Sequence, residues 1–235
     1  GLQYLAQLGH DIEPPVPSLF TFNIKDRAFC DLMGTVVEPV VTTIPGTKLR
    51  AKGPLLVTHW GVSGPAVLKL SSYAARLLAE NDYKVPLAIS WTGELTRQEV
   101  EENLLKLQIA NPRKQVATLH PFGLPSRLWL YILSKLDIDA VKPWAEIGRK
   151  TLNRMIETLV NDQYTIAGKG AFREEFVTCG GVSLSSVNSK TLESKVCPNL
   201  FFAGEVLDID AITGGFNLQA AWTTGVVAGQ CAAGS

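Results

Sequence analysis

Residues 199–229, NLFFAGEVLDIDAITGGFNLQAAWTTGVVAG, decide how this chain is read. Leu200-Phe201-Phe202-Ala203 is an apolar run of strand length, and Gly204 ends it where a backbone needs to approach something closely. Glu205 then sets a carboxylate at the carboxyl end of that run, the edge where ligands bind in α/β folds. A loop carrying Asp208, Asp210 and Thr213 leads to Gly214-Gly215 and a helix beginning Phe216-Asn217-Leu218-Gln219. The first N–H groups of such a helix have no intrahelical acceptor and carry partial positive charge, so they suit an anion or an electron-rich carbonyl. Small residues Ala220, Ala221, Gly225 and Ala228 would let the helix pack closely. Any glycine-led strand–turn–helix has this outline, so the spacing alone does not distinguish a cofactor site from a structural turn.

Working outward, residues 173–184 (REEFVTCGGVSL) read as a strand running into Gly180-Gly181, and 187–200 (VNSKTLESKVCPNL) as a polar hairpin or excursion. Residues 1–16 read as a helix tail and a turn that Pro14-Pro15 prevent from continuing as helix. Residues 18–58 read as strands, with Pro45-Gly46 turning between two of them, and 84–91 as another. The segment 64–80 has helical spacing, with Pro65 suited to its first turn. Between the strand-rich segments lie three helical patterns. The first opens with a Thr96…Glu99 capping box and stops at Pro112; the others are PSRLWLYILSKL and WAEIGRKTLNRMIETLV. Trp129, Trp144 and Trp222 fall in helical patterns and read as core.

The fold class expected is α+β or mixed α/β: a strand-rich body from 1–95 plus 164–182, an inserted helical unit at 96–163, and a C-terminal strand–helix segment at 183–235. Lys+Arg and Asp+Glu number 22 each, and the basic residues are scattered, so no nucleic-acid partner is expected. No apolar run is long enough to span a bilayer, and the first ten residues lack signal-peptide character, so neither a membrane nor export is expected. Cys30, Cys179, Cys197 and Cys231 form no CxxC pair and read as reduced thiols of a cytoplasmic protein. His10, His59 and His120 stand apart without carboxylate neighbours, so no metal site is expected.

Taken together, THWGVSGPAVLKL, KTLNRMIETL, REEFVTCGGVSL, SKTLESK and the 199–229 block resemble, in order, the BaiN/YhiN-type flavoproteins, a family of NAD(P)/FAD-dependent oxidoreductases. The likeness runs from about residue 54 to the end, and PPVPSL near Pro14 fits it too. It implies a barrel-like substrate body and an FAD-contacting tail. By resemblance Gly204 and Glu205 lie along the ribityl and pyrophosphate of FAD and Gly214, Gly215, Phe216, Asn217 and Leu218 beside its ring, with Thr213 also among the cofactor-binding residues. NAD(P)H is the implied second redox partner and a small molecule the substrate. The departure is that no GxGxxG occurs anywhere; GVSG at 61–64 is too short. The ADP-binding half is therefore expected to be absent, with weak or no FAD binding by this chain.

Three weaker candidates stand beside that set. His59, near Ser63, is a possible proton donor, or half of an acid–base and nucleophile pair. No orienting carboxylate accompanies it, so a structural role in a tight turn is favoured. Cys179 lacks a redox partner and reads as a small buried hydrophobe. Gly180 and Gly181 would let backbone approach a flavin or substrate. A rival reading makes the chain a binding module that pairs with a separate FAD-binding subunit. Contact between two copies through the C-terminal segment is a further possibility.

Overall fold

The computed structural model describes residues 1–169 and 177–234. In chain order the elements are α1 (Leu2–Gln7), β1 (Ile12–Ser18), β2 (Phe22–Ile24), α2 (Arg27–Cys30), β3 (Val36–Thr43), β4 (Arg50–Thr58) and β5 (Gly61–Ser63). Then follow α3 (Pro65–Tyr73), α4 (Ala75–Glu80), β6 (Pro86–Ser90), α5 (Arg97–Ala110), α6 (Ser126–Lys135) and α7 (Arg149–Val160). β7 (Asp162–Lys169), β8 (Val177–Val182) and α8 (Phe216–Ala232) complete the chain. They group into two compact units. One is residues 21–70 and 81–170; the other is 1–20, 71–80 and the described part of 171–235.

The first unit is built on a closed barrel of strand order β2-β5-β4-β3-β6-β7, every neighbouring pair antiparallel. Short strands close it because the chain supplies glycine where backbones meet. A Cβ on Gly61 would collide with the Phe22 carbonyl oxygen, on the strand that β5 pairs with. Alternate residues of the strands point inward, so Phe22, Leu55, Val57, Val62, Leu87, Ile89 and Ile166 are buried. Pro45-Gly46 makes the expected turn between β3 and β4.

The helical insert follows the expected segments. Thr96 caps α5 by accepting from the Glu99 N–H, and the Glu99 carboxylate in turn accepts from the Thr96 N–H at 2.7 Å. Trp129 and Trp144 are fully buried and stacked, with ring centroids 6.4 Å apart. The insert is tied to the barrel through Asp162 at the start of β7. Its carboxylate, on a residue only 3% exposed, accepts from Trp91 Nε1 (2.9 Å), Tyr164 Oη (2.7 Å) and Lys135 Nζ of α6 (2.6 Å).

The second unit contains a two-stranded ribbon, β1 paired antiparallel with β8, with a bulge between Glu13 and Val16. Its core is Val182, Val187, Leu192, Phe202, Leu207 and Ala228. Buried His10 organises the excursion after β8: Nδ1 meets the Leu5 carbonyl at 3.0 Å and Nε2 the Ser194 hydroxyl at 2.7 Å. That hydroxyl already accepts the N–H groups of Val196 and Cys197, so it donates to Nε2, and the ring proton sits on Nδ1.

Several expectations are corrected. Pro14 and Pro15 lie inside strand β1, where a bulged ribbon edge tolerates missing N–H groups. The stretch 18–58 also holds helix α2, begun by the Asp26 carboxylate accepting the Phe29 N–H. The single helix over 64–80 is two, α3 and α4, parted at Ala74. The last insert helix starts at Arg149, with Trp144–Glu146 a separate 3₁₀ turn. Residues 200–203 make only the isolated bridge of Phe201 with Glu193, because no strand runs beside them among the described residues. The expected segmentation placed β1 and β8 with the barrel; they pair with each other instead. Residues 173–176 of the expected REEF strand fall outside the described residues. No described helix is long and apolar enough to cross a membrane, and all four cysteines are free.

Candidate functional site

The candidate residues from 179 to 218 come together in the second unit; His59 lies in the first. The glycines of β8 are dictated by the chain's own backbone. A Cβ on Gly180 would meet the Pro14 carbonyl oxygen at 2.6 Å, and one on Gly181 the Val206 carbonyl oxygen at 2.5 Å. Both have positive φ, 115° and 138°. The close approach they permit joins β8 to β1 on one side and to residues 206–207 on the other.

The approach to residues 206–207 begins the site. Gly204–Val206 forms a 3₁₀ turn, with Gly204 at φ 71° and its N–H donating to Thr224 Oγ1 of α8 at 2.9 Å. Glu205 accepts the Thr178 N–H at 3.0 Å, so its carboxylate tethers this turn to β8. Past it, the loop to Gly215 is fastened at four points. The Asp208 N–H donates to the Val182 carbonyl, and the Asp208 carboxylate lies 3.4 Å from Arg76, which also reaches Pro14 O and Glu13. Asp210 accepts from the buried Ser18 hydroxyl at 2.9 Å. The Asn217 side chain pairs with the Ala211 main chain in both directions, at 2.9 and 2.8 Å. Asn217 thereby copies one rung of a β ladder and holds the loop against the helix start.

Gly215 enters α8 from the left-handed region at φ 83°, and no side chain caps the helix. Phe216, Asn217 and Leu218 contribute N–H groups with no acceptor among the described residues, since the first helical bond is Gln219 N–H to Gly215 O. A Cβ on Gly215 would meet nothing within 4 Å, so the approach to these donors is open. Around them stand exposed apolar side chains: Phe216 (56%), Leu218 (71%), Trp222 (75%) and Val226. Trp222 is thus not core, as its helical pattern suggested. Almost every α8 position is apolar or small, so periodicity could not pick the buried side; Ala228 is its one buried residue. Leu218, Trp222 and Val226, four residues apart, form one ridge.

Cys179 lies on β8 beside Asp210. Burial first, then the Asp210 carboxylate, pushes its thiol up to about 11. A thiol with that affinity for its proton is neutral near pH 8 and a poor nucleophile. His59 is exposed between β4 and β5, stacks edge-on with Trp60 at 4.3 Å, and makes no hydrogen bond with Ser63. Sequence reasoning missed Arg76, Ser18 and Thr224, whose ordinary surroundings give no signal until the loop is folded beside them. Among the described residues no group of three His, Cys, Asp or Glu side chains could hold a metal.

One chain thus carries an antiparallel barrel with a helical insert and, in its second unit, a glycine-led loop that runs into an uncapped helix start. A family model described as "HI0933-like protein barrel and H2TH domain" matches residues 16–177, and the chain belongs to that HI0933-like family. Among curated proteins it is 31% identical over 227 residues to the ribosomal RNA dihydrouridine synthase of Haemophilus influenzae, covering 95% of this chain and 53% of that protein. It is 28% identical over 242 residues to the 3-dehydro-bile acid delta(4,6)-reductase of Clostridium scindens, covering 99% of this chain and 57% of that one. With the Escherichia coli ribosomal RNA dihydrouridine synthase it shares 29% identity, over 95% of this chain and 54% of the relative. The chain therefore spans about half the length of the curated relatives it matches.

Proposed function

We propose that this chain is the substrate-domain and C-terminal portion of an FAD-dependent oxidoreductase that reduces a carbon–carbon double bond conjugated to a carbonyl. The observation that carries the reading is the start of α8: three backbone donors without acceptors, an open approach past Gly215, and a loop bolted in place around them. Such an end fits the electron-rich N1–C2=O edge of a flavin, where it favours negative charge on the ring. The residues that would hold FAD are Gly214 to Leu218 beside the ring, with Thr213, Gly204 and Glu205 toward the ribityl chain. When bound, the flavin supplies hydride, with NAD(P)H as its source. This chain's part is to hold that edge and stabilise charge through fixed dipoles.

The bond type comes from the relatives' names. Making dihydrouridine saturates the ring double bond of uracil, and a delta(4,6)-reductase acts on double bonds in line with the 3-oxo group. Polarisation by the carbonyl would direct a hydride to the carbon far from it and a proton from solvent to the near one. The test is an FAD titration followed by flavin absorption and fluorescence, on this chain and on a protein that also carries the region by which the relatives exceed it. Flavin uptake by the longer protein, diminished by Asn217→Ala, supports the reading. A longer protein that stays colourless with added FAD refutes it.

The exposed ridge Leu218–Trp222–Val226 also favours a second reading, a module that pairs with a separate FAD-binding subunit. Under that reading the same titration succeeds only when such a subunit is added in trans.

A further inference from the structure

The barrel unit holds a pocket of about 540 Å³ lined by Ile24, Lys25, Asp26, Arg27, Cys30, Asp31, Met33 and His59. The β2–β5 pairing makes it, since Ile24 N–H bonds the Trp60 carbonyl at 2.9 Å and so sets residues 24–27 beside the turn that carries His59. The side chains of Lys25, Arg27 and His59 make no ion pair or hydrogen bond among the described residues. The reason is visible at Asp26. One carboxylate oxygen caps α2 through the Phe29 N–H (3.0 Å) and the other accepts the Tyr131 hydroxyl (3.0 Å). Its partners are internal, and the cations beside it are left facing the pocket. Arg127 of α6 adds a further fixed charge behind the wall, donating to the carbonyls of Asp31 and Met33 at 2.6 and 3.2 Å. Three fixed cations thus stand against the carboxylates of Asp26 and Asp31. Cys30 stays a neutral thiol, its pKa raised by burial, then by Asp26 and Asp31.

We propose that Lys25, Arg27 and His59 form a phosphate-binding subsite that receives the backbone of single-stranded RNA. Guanidinium and ammonium groups without partners at a concave surface match phosphate oxygens. An unpaired strand can bring phosphates into such a site. A lining in which most side chains are charged or titratable disfavours a steroid body, which needs apolar walls. The choice of RNA as bearer of the phosphate rests on the reductase reading; the site itself does not. Asp26 and Asp31 offset Lys25 and Arg27 in the sequence and His59 joins them only in the fold, so no basic run marked the cluster and the expectation was of no nucleic-acid partner.

The test is fluorescence anisotropy of a fluorescein-labelled uridine decanucleotide with the full chain across a salt series. Wild type is expected to bind at low salt, with log K falling linearly as log salt rises. Lys25→Ala/Arg27→Ala should weaken binding at least tenfold and reduce the slope by about 0.7 for each phosphate that is no longer neutralised. Asp31→Asn, which removes an opposing charge, should tighten binding. Circular dichroism and melting curves confirm that these exposed-site variants fold. The proposal is overturned if the oligonucleotide fails to bind wild type at low salt, or if the double variant keeps the wild-type affinity and slope. It is also overturned if cholate displaces the oligonucleotide at lower concentration than inorganic phosphate does. FAD uptake, measured in parallel, separates the two ideas: its absence with intact RNA binding sinks the reductase reading and leaves this site standing.

Discussion

Replacing Asp162 with alanine should be among the most damaging single changes to the barrel unit. The carboxylate is all but inaccessible and satisfies three donors on three elements: Trp91 after β6, Tyr164 on β7 and Lys135 on α6. Removing it strands the indole N–H and the phenol, each at about 1–3 kcal/mol for a buried donor left unpaired. It also leaves the Lys135 ammonium without its counter-ion, and breaking a buried pair costs about 3–5 kcal/mol. Lys135 is about a third exposed, so water recovers part of that, and its ammonium also lies 4.2 Å from the Tyr164 ring centre. The net expectation is a loss of roughly 4 kcal/mol. At about 2–4 °C per kcal/mol for a unit of this size, melting falls by roughly 8–16 °C. Differential scanning calorimetry of Asp162→Ala and Asp162→Asn reads it directly. Asparagine should recover part of the loss, because its Oδ1 can take the place of the oxygen that serves both Trp91 and Tyr164, while its amide hydrogens then face the Lys135 ammonium. A drop below about 2 °C for the alanine variant would refute the claim that this carboxylate ties insert to barrel.

The same network makes an alkaline prediction: burial first, then the Asp162 charge, raises the pKa of Tyr164 well above its ordinary 10, so its contribution to stability is complete below pH 10 and declines as pH rises beyond it. Urea midpoints from pH 8 to 11 should fall more steeply for wild type than for Tyr164→Phe. Cys179 should resist iodoacetamide at pH 8 in the folded protein and become reactive only as pH approaches 11, whereas fast labelling at pH 8 would contradict its burial beside Asp210. Gly181→Ala should destabilise the second unit by about 2–5 kcal/mol, seen as faster hydrogen exchange in 177–182 and 206–208, because strain at positive φ adds to the collision with Val206. Trp222→Asp should leave the melting temperature of this chain unchanged within about 0.5 kcal/mol of stability, since the indole is exposed, while weakening whatever binding α8 supports.

Much of the fold was legible where local chemistry is self-contained. The Thr96…Glu99 box, the Pro45-Gly46 turn and the stacked Trp129 and Trp144 each depend on residues close in sequence or on strong periodicity. Barrel closure was legible only through the family resemblance, because six short strands share no signature of ring order. Features that failed to show share a cause. Asp26 reads as one more polar loop residue until its two carboxylate oxygens are seen to serve α2 and α6. The glycine pair Gly180-Gly181 announced a close approach, yet not that the approaching backbone was the chain's own. Trp222 misled because a helix of small and apolar residues has no polar face to mark its outside. In the candidate site the uncapped helix start was readable; the side chains that fasten the loop to it, Arg76 and Ser18, were not.

The proline-laden strand β1 has a further consequence, for behaviour in crowded solution. A closed barrel offers no strand edge, so the β1–β8 ribbon is where another copy of the chain could add itself by backbone pairing. Pro14, Pro15 and Pro17 have no N–H, so those of them that face outward offer no donor to such addition, and the bulge between Glu13 and Val16 breaks the spacing of the rest. The pair Pro14-Pro15, which reads as a helix stop in the sequence, thereby makes the ribbon edge a poor template for sheet-to-sheet pairing.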